Sequence, residues 1–236
     1  VINLSKSYKT KKAVNNISFK IDENEIVGLL GPNGCGKTTT IGMILGLLKP
    51  TSGQVLINGK NIENNKISIL HKMNFISPYI ELPKKLTVKQ NLIVYGKLYN
   101  IKNLNERINF LSEKLRLGDL LDKITGELSS GQKNRVSLAK ALINDPTVLL
   151  LDEPTAALDP ETADFIRTFL EKLREEKKIS VLLASHNMDE VKRLCNSVMM
   201  MKDGNIVDGG TPEDLIEKYG QKNLEEVFLE IVRKDK

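Results

Sequence analysis

The chain has 236 residues, of which 40% are hydrophobic and 28% charged, with a formal net charge of +5. This length and composition are typical of one folded domain and exclude a fibrous or intrinsically disordered chain. The longest apolar run, 41–48, is interrupted by Gly42 and Gly46 and is far shorter than the roughly 20 residues of a membrane-spanning helix.

Charge and cysteine usage bear on location and partners. Lysines and glutamates are interleaved along the chain, so the positive charge favours a Lys-rich composition over a nucleic-acid-binding surface. Cys35 and Cys195 follow neither a metal-ligand nor a disulfide pattern, which is typical of a reducing compartment. The first residues lack the apolar stretch of a secretory signal, so we expect the chain to act in the cytosol.

The beginning of the chain is predicted to be mostly β-structure around one helix. Alternation and turn residues predict strands over 13–19, 25–30 and 54–57. Apolar residues at helical spacing predict a helix over 37–48, ended by Pro50. A strand, a glycine-rich loop and a helix therefore follow one another.

The middle of the chain is predicted to be helical. Apolar spacing indicates one helix from Thr87 to about Tyr99 and a second over 104–115. A third helix begins near Ser129 or Ser130 and ends before a proline at position 146. We expect these helices to form a small subdomain.

The last part of the chain predicts the core of an α/β fold. Two unbroken apolar runs, 148–151 and 181–184, are typical of strands buried on both faces in a parallel sheet. A predicted helix over 161–177 lies between them, and this order indicates a right-handed crossover in a doubly wound α/β sheet. We expect a further strand over 198–202 and a helical tail.

Residues 31–38, Gly-Pro-Asn-Gly-Cys-Gly-Lys-Thr, match the phosphate-binding pattern G-x-x-x-x-G-K-[ST] between a predicted strand and a predicted helix. The glycines let backbone N–H groups turn inward around phosphate, and the helix N-terminus adds positive charge. We expect ATP to bind here, with Lys37 on the β- and γ-phosphates and Thr38 on Mg²⁺. The loop positions expected to contact the nucleotide are Asn33, Gly34, Cys35, Gly36, Lys37, Thr38 and Thr39.

Cys35 occupies a loop position that any small side chain can fill. Because its thiol stands beside Lys37 and a helix N-terminus, we expect it to ionise more readily than a free cysteine. Alkylation of this thiol, slowed by bound ATP, is the corresponding expectation.

Two adjacent carboxylates end the predicted strand 148–153. Side chains at consecutive strand positions point in different directions, so the pair can take two roles. We expect Asp152 to bind Mg²⁺ and Glu153 to orient or deprotonate the water that attacks the γ-phosphate.

His186 follows another core strand, at the sheet edge where ligands bind, and we expect it to contact the γ-phosphate. The expected catalytic residues are Glu153, His186 and Lys37.

Residues 128–132, Leu-Ser-Ser-Gly-Gln, closely resemble the Leu-Ser-Gly-Gly-Gln signature of the ABC ATPase family. The family's other elements follow in family order along essentially the whole chain: Tyr8, the loop 31–38, the signature, the strand 148–153, the turn 157–159 and His186. By this resemblance the chain is similar to the ATP-binding subunit of an ABC transporter.

The resemblance implies a fold and a site. The fold is a single ABC ATPase domain with a phosphate-loop (P-loop NTPase) core, a parallel sheet, an N-terminal antiparallel β subdomain and an inserted α-helical subdomain. Its parts would be a β subdomain and core over 1–72 and 140–207, a helical subdomain over 73–139, and a tail over 208–236. Tyr8 would stack on adenine, and further nucleotide contacts would come from Val14, Ser129, Gly131, Gln132 and Asp159.

The resemblance also implies partners. Two copies, or this chain and a paired cassette, would dimerise on binding ATP, so that the signature of one subunit caps the ATP held by the other. A separate integral-membrane permease would hold the dimer at the cytoplasmic face of the inner membrane. Residues 75–100, including Tyr79, Glu81 and Leu82, would contact that permease.

Two positions depart from the family pattern. Ser130 replaces the first glycine of the signature, but Gly131 remains for the closest approach to nucleotide. Pro78 stands where family members have glutamine, and its side chain cannot bind Mg²⁺ or position water. We expect Ser77 or an additional water to substitute, with hydrolysis slowed or dependent on the partner.

The C-terminal part of the chain resembles bacterial single-cassette exporters of the daunorubicin and sodium type, through the segments 187–191, 209–215 and 224–230. This resemblance favours export from the cytosol and carries no information on the cargo.

Two other classes of function are alternatives. DNA-handling relatives place long coiled coils between phosphate loop and signature, but the stretch from Lys37 to Ser129 contains no heptad run. Translation factors carry two cassettes in one chain. A regulatory module that binds ATP without turnover is favoured only by Pro78, and Glu153 disfavours it because a binding module needs no base.

Overall fold

The computed structural model describes residues 1–9, 11–78 and 80–233. The helices are α1 (Lys37–Ile44), α2 (Ile62–Leu70), α3 (Val88–Leu98), α4 (Leu104–Lys114), α5 (Ser130–Leu142), α6 (Pro160–Glu176), α7 (Met188–Leu194), α8 (Pro212–Tyr219) and α9 (Leu224–Arg233). The strands are β1 (Ile2–Tyr8), β2 (Lys11–Ile17), β3 (Ile26–Leu30), β4 (Ser52–Gln54), β5 (Leu56–Ile57), β6 (Lys60–Asn61), β7 (Met73–Ile76), β8 (Val148–Asp152), β9 (Ser180–Ala184), β10 (Ser197–Lys202) and β11 (Asn205–Gly210).

A six-stranded sheet in the order β11-β10-β3-β9-β8-β7 forms the centre of the molecule. Its neighbouring strands run parallel from β10 to β7, and β11 pairs antiparallel with β10 at one edge. A second, antiparallel sheet has the order β2-β1-β4, and β5 and β6 form a hairpin. The predicted α/β fold with a parallel sheet and an antiparallel N-terminal sheet is confirmed.

Alternate residues of each central strand enter two separate cores. In β3, Ile26 and Leu30 belong to the core formed with helices α3 to α9, whereas Val27 and Leu29 belong to the core formed with α1, α2 and the N-terminal strands. Because side chains alternate between the two faces of a sheet, a strand covered on both faces has to be apolar at every position. This explains the unbroken apolar runs of the sequence.

Several helices begin at a side chain that caps the free backbone N–H groups of the first turn. The capping residues are Asn61, Thr87, Ser129, Asp159, Asn187 and Thr211. Thr87 and Ser129 form capping boxes with the glutamines three residues later. The predicted third helix therefore begins at the serine of the signature.

Some elements differ from the sequence expectations. Strand β1 was not predicted, because its residues are mostly polar and its backbone is held between β2 and β4. Helices α2 and α7 were also missed. Helix α1 ends at Ile44 instead of position 48, because Gly46 adopts a left-handed conformation with φ of 63°.

The division into a β subdomain with the phosphate-loop core, a helical subdomain and a C-terminal tail remains a prediction. Strand β7, which lies within the segment 73–139 of the predicted helical subdomain, pairs in parallel with β8 in the central sheet.

Within the described residues, no helix has the length and apolar character needed to span a membrane.

We predict that Leu182→Ala, in the central strand β9, lowers the free energy of unfolding by about 2–5 kcal/mol. Leu182 is fully buried between β3 and β8, so truncation leaves a cavity. Leu98→Ala is the matched control, since Leu98 is 69% exposed, and it should change stability by about 0.5 kcal/mol or less. Urea unfolding measures both; equal effects would contradict the assignment of β9 to the core.

Candidate functional site

The phosphate-binding loop connects the end of β3 to the start of α1. Gly34 and Gly36 have φ values of 80° and 115°, a region that residues with a Cβ rarely adopt. A Cβ on Gly36 would also lie 2.4 Å from the carbonyl oxygen of Ala13. The Lys37 ammonium donates hydrogen bonds to the carbonyls of Gly31 at 2.6 Å and Pro32 at 3.2 Å. The loop is thus a tight turn with its lysine folded over it.

The two carboxylates lie at the carboxyl end of β8, next to the loop. Asp152 is buried, and the Ser77 hydroxyl at the end of β7 donates to its Oδ2 at 3.4 Å. Burial, and then the charge of Glu153, raise the pKa of Asp152 above its usual value, while the Ser77 hydrogen bond and Lys37 oppose them. A buried carboxylate of this kind favours a neighbouring cation.

Glu153 contacts His186 directly. Glu153 Oε1 lies 2.7 Å from His186 Nδ1, and the histidine side chain is 73% exposed whereas that of Glu153 is 18% exposed. The Glu153 backbone has φ of 52°, and its N–H donates to the carbonyl of Ala184 at the end of β9 at 2.8 Å. The carboxyl ends of β8 and β9 therefore present a carboxylate and an imidazole side by side.

The phosphate-binding loop, the two carboxylates and the Tyr8 ring line one groove of about 310 Å³. Its lining residues are Tyr8, Lys11, Ala13, Asn33, Gly34, Gly36, Lys37, Thr38, Thr39, Asp152 and Glu153. Tyr8 is 47% exposed, so its ring can stack on a flat ligand, and the Lys6 ammonium lies 5.2 Å from the ring centroid. Val14 does not line this groove; it is buried behind Gly36.

Sequence reasoning missed Lys11 and Ala13 as lining residues. Lys11 belongs to a basic cluster that follows Tyr8 in the sequence, and this cluster was the available signal. Ala13 carries no such signal, because the pairing of β1 with β2 alone brings it to the groove.

The environment of Cys35 contradicts the expectation that its thiol ionises readily, because its pKa is raised. The thiol is 3% exposed, and burial raises its pKa above the usual value more strongly than the charge of Lys37 lowers it. The sulfur lies 4.0 Å from the Lys37 ammonium. The positive neighbour was correctly anticipated, but the loss of water around the sulfur outweighs it.

The signature residues lie outside the groove's lining. Ser129 caps α5, its hydroxyl accepting from the Gln132 N–H at 3.3 Å while the Gln132 side chain accepts from the Ser129 N–H at 3.0 Å. A Cβ on Gly131 would lie 3.0 Å from the Thr162 side chain, so this glycine permits close packing against α6. Within one chain, the signature and the phosphate loop are not brought together in that groove.

Asp159 is the residue that caps α6, and it too lies outside the groove's lining. Hydrogen bonds from Thr162 hold the pKa of the Asp159 carboxyl below its usual value. The charged form is therefore stabilised at the helix N-terminus, where negative charge is favoured. A structural role as helix cap is established for this residue by its geometry.

Sequence and structure comparisons identify similar proteins. A protein-family profile described as "ABC transporter" matches residues 14–156. The chain is 34% identical over 224 residues to the ABC transporter ATP-binding protein NatA of Bacillus subtilis, covering 94% of this chain and 91% of that protein. It is 35% identical over 229 residues to the choline transport ATP-binding protein OpuBA of Bacillus subtilis, covering 95% of this chain but 60% of that protein.

Two solved structures are similar over most of the chain. The first, an ATP-binding subunit of an ABC transporter, superposes with a TM-score of 0.90 and 26% identity over 98% of both chains. The second is a dimeric ATP-binding cassette in a post-hydrolysis state with ADP and phosphate. It superposes with a TM-score of 0.81 and 28% identity over 89% of this chain and 97% of that one.

We predict that iodoacetamide labels Cys35 several-fold more slowly in the native protein than in the urea-unfolded chain at neutral pH. The native thiol is buried and its pKa is raised, so little thiolate is exposed, and labelling should accelerate as the pH rises. The Cys195→Ala variant isolates this thiol for mass spectrometry. Native labelling as fast as in the unfolded chain would restore the expectation of a reactive cysteine.

Proposed function

We propose that this chain, which belongs to the ABC transporter family and hydrolyses ATP, powers an exporter. It would do so by coupling ATP hydrolysis to a separate membrane permease. The observation that carries the catalytic part is the Glu153 carboxylate, 2.7 Å from His186, beside the phosphate-binding loop. Export is supported by the resemblance of the C-terminal segments to single-cassette exporters.

ATP would occupy the groove between Tyr8 and the carboxylates. Tyr8 would stack on adenine, and the loop N–H groups over 33–39 would surround the phosphates. Lys37 would exchange its contacts with the carbonyls of Gly31 and Pro32 for the β- and γ-phosphates. The loop has the shape that this exchange needs, because Gly34 and Gly36 hold the left-handed conformations of a tight turn around phosphate.

Thr38 and Asp152 would hold Mg²⁺. Both side chains offer oxygen atoms to the same groove, and hard oxygen donors are what this ion prefers. The cation would also offset the burial cost of the Asp152 charge, which fits the raised pKa of that carboxyl. Mg²⁺ would neutralise charge on the phosphates when bound.

Glu153 and His186 would act on the γ-phosphate and the attacking water. Glu153 can accept a hydrogen bond from water and orient it for in-line attack. His186 is largely exposed at the groove's edge, so its ring can contact a γ-phosphate oxygen while its Nδ1 stays with Glu153. His186 would then sense the γ-phosphate and hold Glu153, the expected base, in position.

A complete site would need a second subunit. Ser129, Gly131 and Gln132 lie at the N-terminus of α5, outside the groove. In an ATP-bound dimer these residues would cap the γ-phosphate held by the partner's loop, since a helix N-terminus favours an anion. Asp159, at the start of α6, would lie in the same interface.

The permease contact would lie within 75–100. Glu81 is exposed and pairs with Lys84 at 2.6 Å, so its charge is available at the surface. Leu82 is 7% exposed and packs in the core, which removes it from the expected contact set. Tyr79, expected in the same contact, lies outside the described residues. This contact would hold the chain at the cytoplasmic face of the membrane.

We predict that Glu153→Gln lowers kcat for ATP hydrolysis by about 10²-fold or more while leaving ATP affinity within a few-fold. The amide keeps the size of the side chain but cannot accept a proton from water. Phosphate release measures turnover, and a fluorescent ATP analogue measures binding. Glu161→Gln, on the exposed first turn of α6, is the control; equal kcat in both variants would contradict the role of Glu153.

We predict that Pro78→Gln raises the ATPase rate of the purified subunit several-fold. Ser77 contacts Asp152 at the end of β7, and Pro78 follows it without a polar side chain to reach the site. Glutamine would restore a group able to bind Mg²⁺ or position water. Pro83→Gln, at another exposed proline of the same loop, controls for backbone relaxation. High turnover of the unmodified subunit would contradict the expectation that Pro78 slows hydrolysis or makes it depend on the partner.

A further inference from the structure

Glu190 is a buried carboxylate behind the Glu153 and His186 pair. It lies in the first turn of α7 and is 1% exposed. Burial raises the pKa of its carboxyl, and the Ser185 and Thr155 hydroxyls oppose this shift. Burying an ionisable group is costly unless its hydrogen bonds are satisfied, and an apolar residue could fill the same volume. Packing alone therefore does not require a carboxylate at position 190.

Each carboxylate oxygen of Glu190 accepts a hydrogen bond from a different loop. The Thr155 hydroxyl donates to Oε1 at 2.8 Å, and the Ser185 hydroxyl donates to Oε2 at 2.7 Å. Thr155 lies two residues after Glu153, and Ser185 immediately precedes His186. One side chain thus joins the segment that carries the base to the segment that carries the histidine.

Glu190 is itself held firmly. Its N–H donates to the Asn187 side chain at 3.0 Å, and the Asn187 N–H donates to the Ser185 hydroxyl at 3.1 Å. The Ser185 hydroxyl therefore accepts one bond and donates another, which fixes its rotamer. The hydrogen bonds that Glu190 accepts from Thr155 and Ser185 are therefore made at a well-held N-terminus of α7.

The segment that carries Glu153 and Thr155 needs an anchor of this kind. Glu153 has a left-handed backbone, which is strained for a residue with a side chain. Backbone hydrogen bonds from the Glu153 N–H to Ala184 and from the Ala156 N–H to Glu153 hold it at either end. A strained conformation persists only where its surroundings determine it, and the Thr155 contact supplies a further anchor.

We propose that Glu190 is a positioning residue for ATP hydrolysis, which sets the spacing of Glu153 and His186 by bridging Thr155 and Ser185. The inference rests on the proposed roles of Glu153 and His186. In this role Glu190 contacts neither ATP nor the attacking water. It acts through geometry, and small displacements of a catalytic group lower rates strongly because the reacting atoms lose alignment.

Glu190→Ala removes the bridge and is expected to lower kcat about tenfold to a hundredfold, with KM for ATP changed less than about threefold. Glu190→Gln is expected to recover most of the loss, because its amide can accept from one hydroxyl and donate to the other. Asp189→Ala, at an exposed acidic residue of the same helix turn, controls for the local charge and should keep kcat.

A second set of variants keeps the proposal testable if Glu190→Ala fails to fold. Thr155→Val and Ser185→Ala each remove one hydroxyl from the bridge and should lower kcat with little effect on KM. Combined with Glu190→Ala, either one should add little further loss, because residues of one network are not additive. Full kcat in Glu190→Ala, losses in KM and kcat together, full additivity, or a Gln variant as slow as the Ala variant would each overturn the proposal.

Failure of this inference can be told apart from failure of the proposed function. Should Glu153→Gln and His186→Ala both keep full kcat, the proposed catalytic roles are wrong and the bridge has nothing to position. Should those two variants lose activity while Glu190→Ala and Thr155→Val keep it, the bridge alone is wrong.

Discussion

The parallel pairing of β8 with β9 determines the geometry of the candidate site. In this register Asp152 lies opposite Ala184, so the residues that follow each strand leave the sheet side by side. Glu153 and His186 therefore meet, although more than thirty positions of sequence, including the whole of α6, separate them. The phosphate loop follows β3, the neighbour of β9 on its other side, and joins the same edge. A sheet of this type places ligands at its carboxyl edge, and the site follows from that topology.

The two cores hold that edge in place from opposite faces. Helices α3 to α9 contribute to the core on one face, and α1, α2 and the N-terminal strands cover the other. Since β3, β8 and β9 are buried at nearly every position, these strands cannot slide without exposing apolar surface. Polar contacts then complete the site: Ser77 on Asp152, Lys37 on its own loop, and the Glu190 bridge. The rigid sheet supplies the accuracy that the loops alone would lack.

The sequence predicted the elements with strong local signals and missed those that depend on distant packing. The apolar runs of β8 and β9, the loop 31–38 and the cap at Ser129 all carry local patterns, and their elements are confirmed. Strand β1 has polar residues and exists through its two neighbours. The burial of Cys35 and Leu82 likewise depends on residues remote in sequence. The charge of Lys37 therefore does not predict the raised pKa of Cys35, and the position of Leu82 next to Glu81 does not predict that it is buried. Glu190 carries no signal at all until the fold places Thr155 and Ser185 around it.

In the proposed function one chain holds half of each ATP site, and a second copy of the chain supplies the signature. Light scattering of the Glu153→Gln variant with ATP and Mg²⁺ measures this association, because blocked hydrolysis should trap the closed dimer. We expect twice the 26.4 kDa of one chain with ATP, a single chain with ADP, and a single chain with ATP when Ser129→Arg is added. A mass of 26.4 kDa at saturating ATP, in a variant that binds ATP, would contradict the claim.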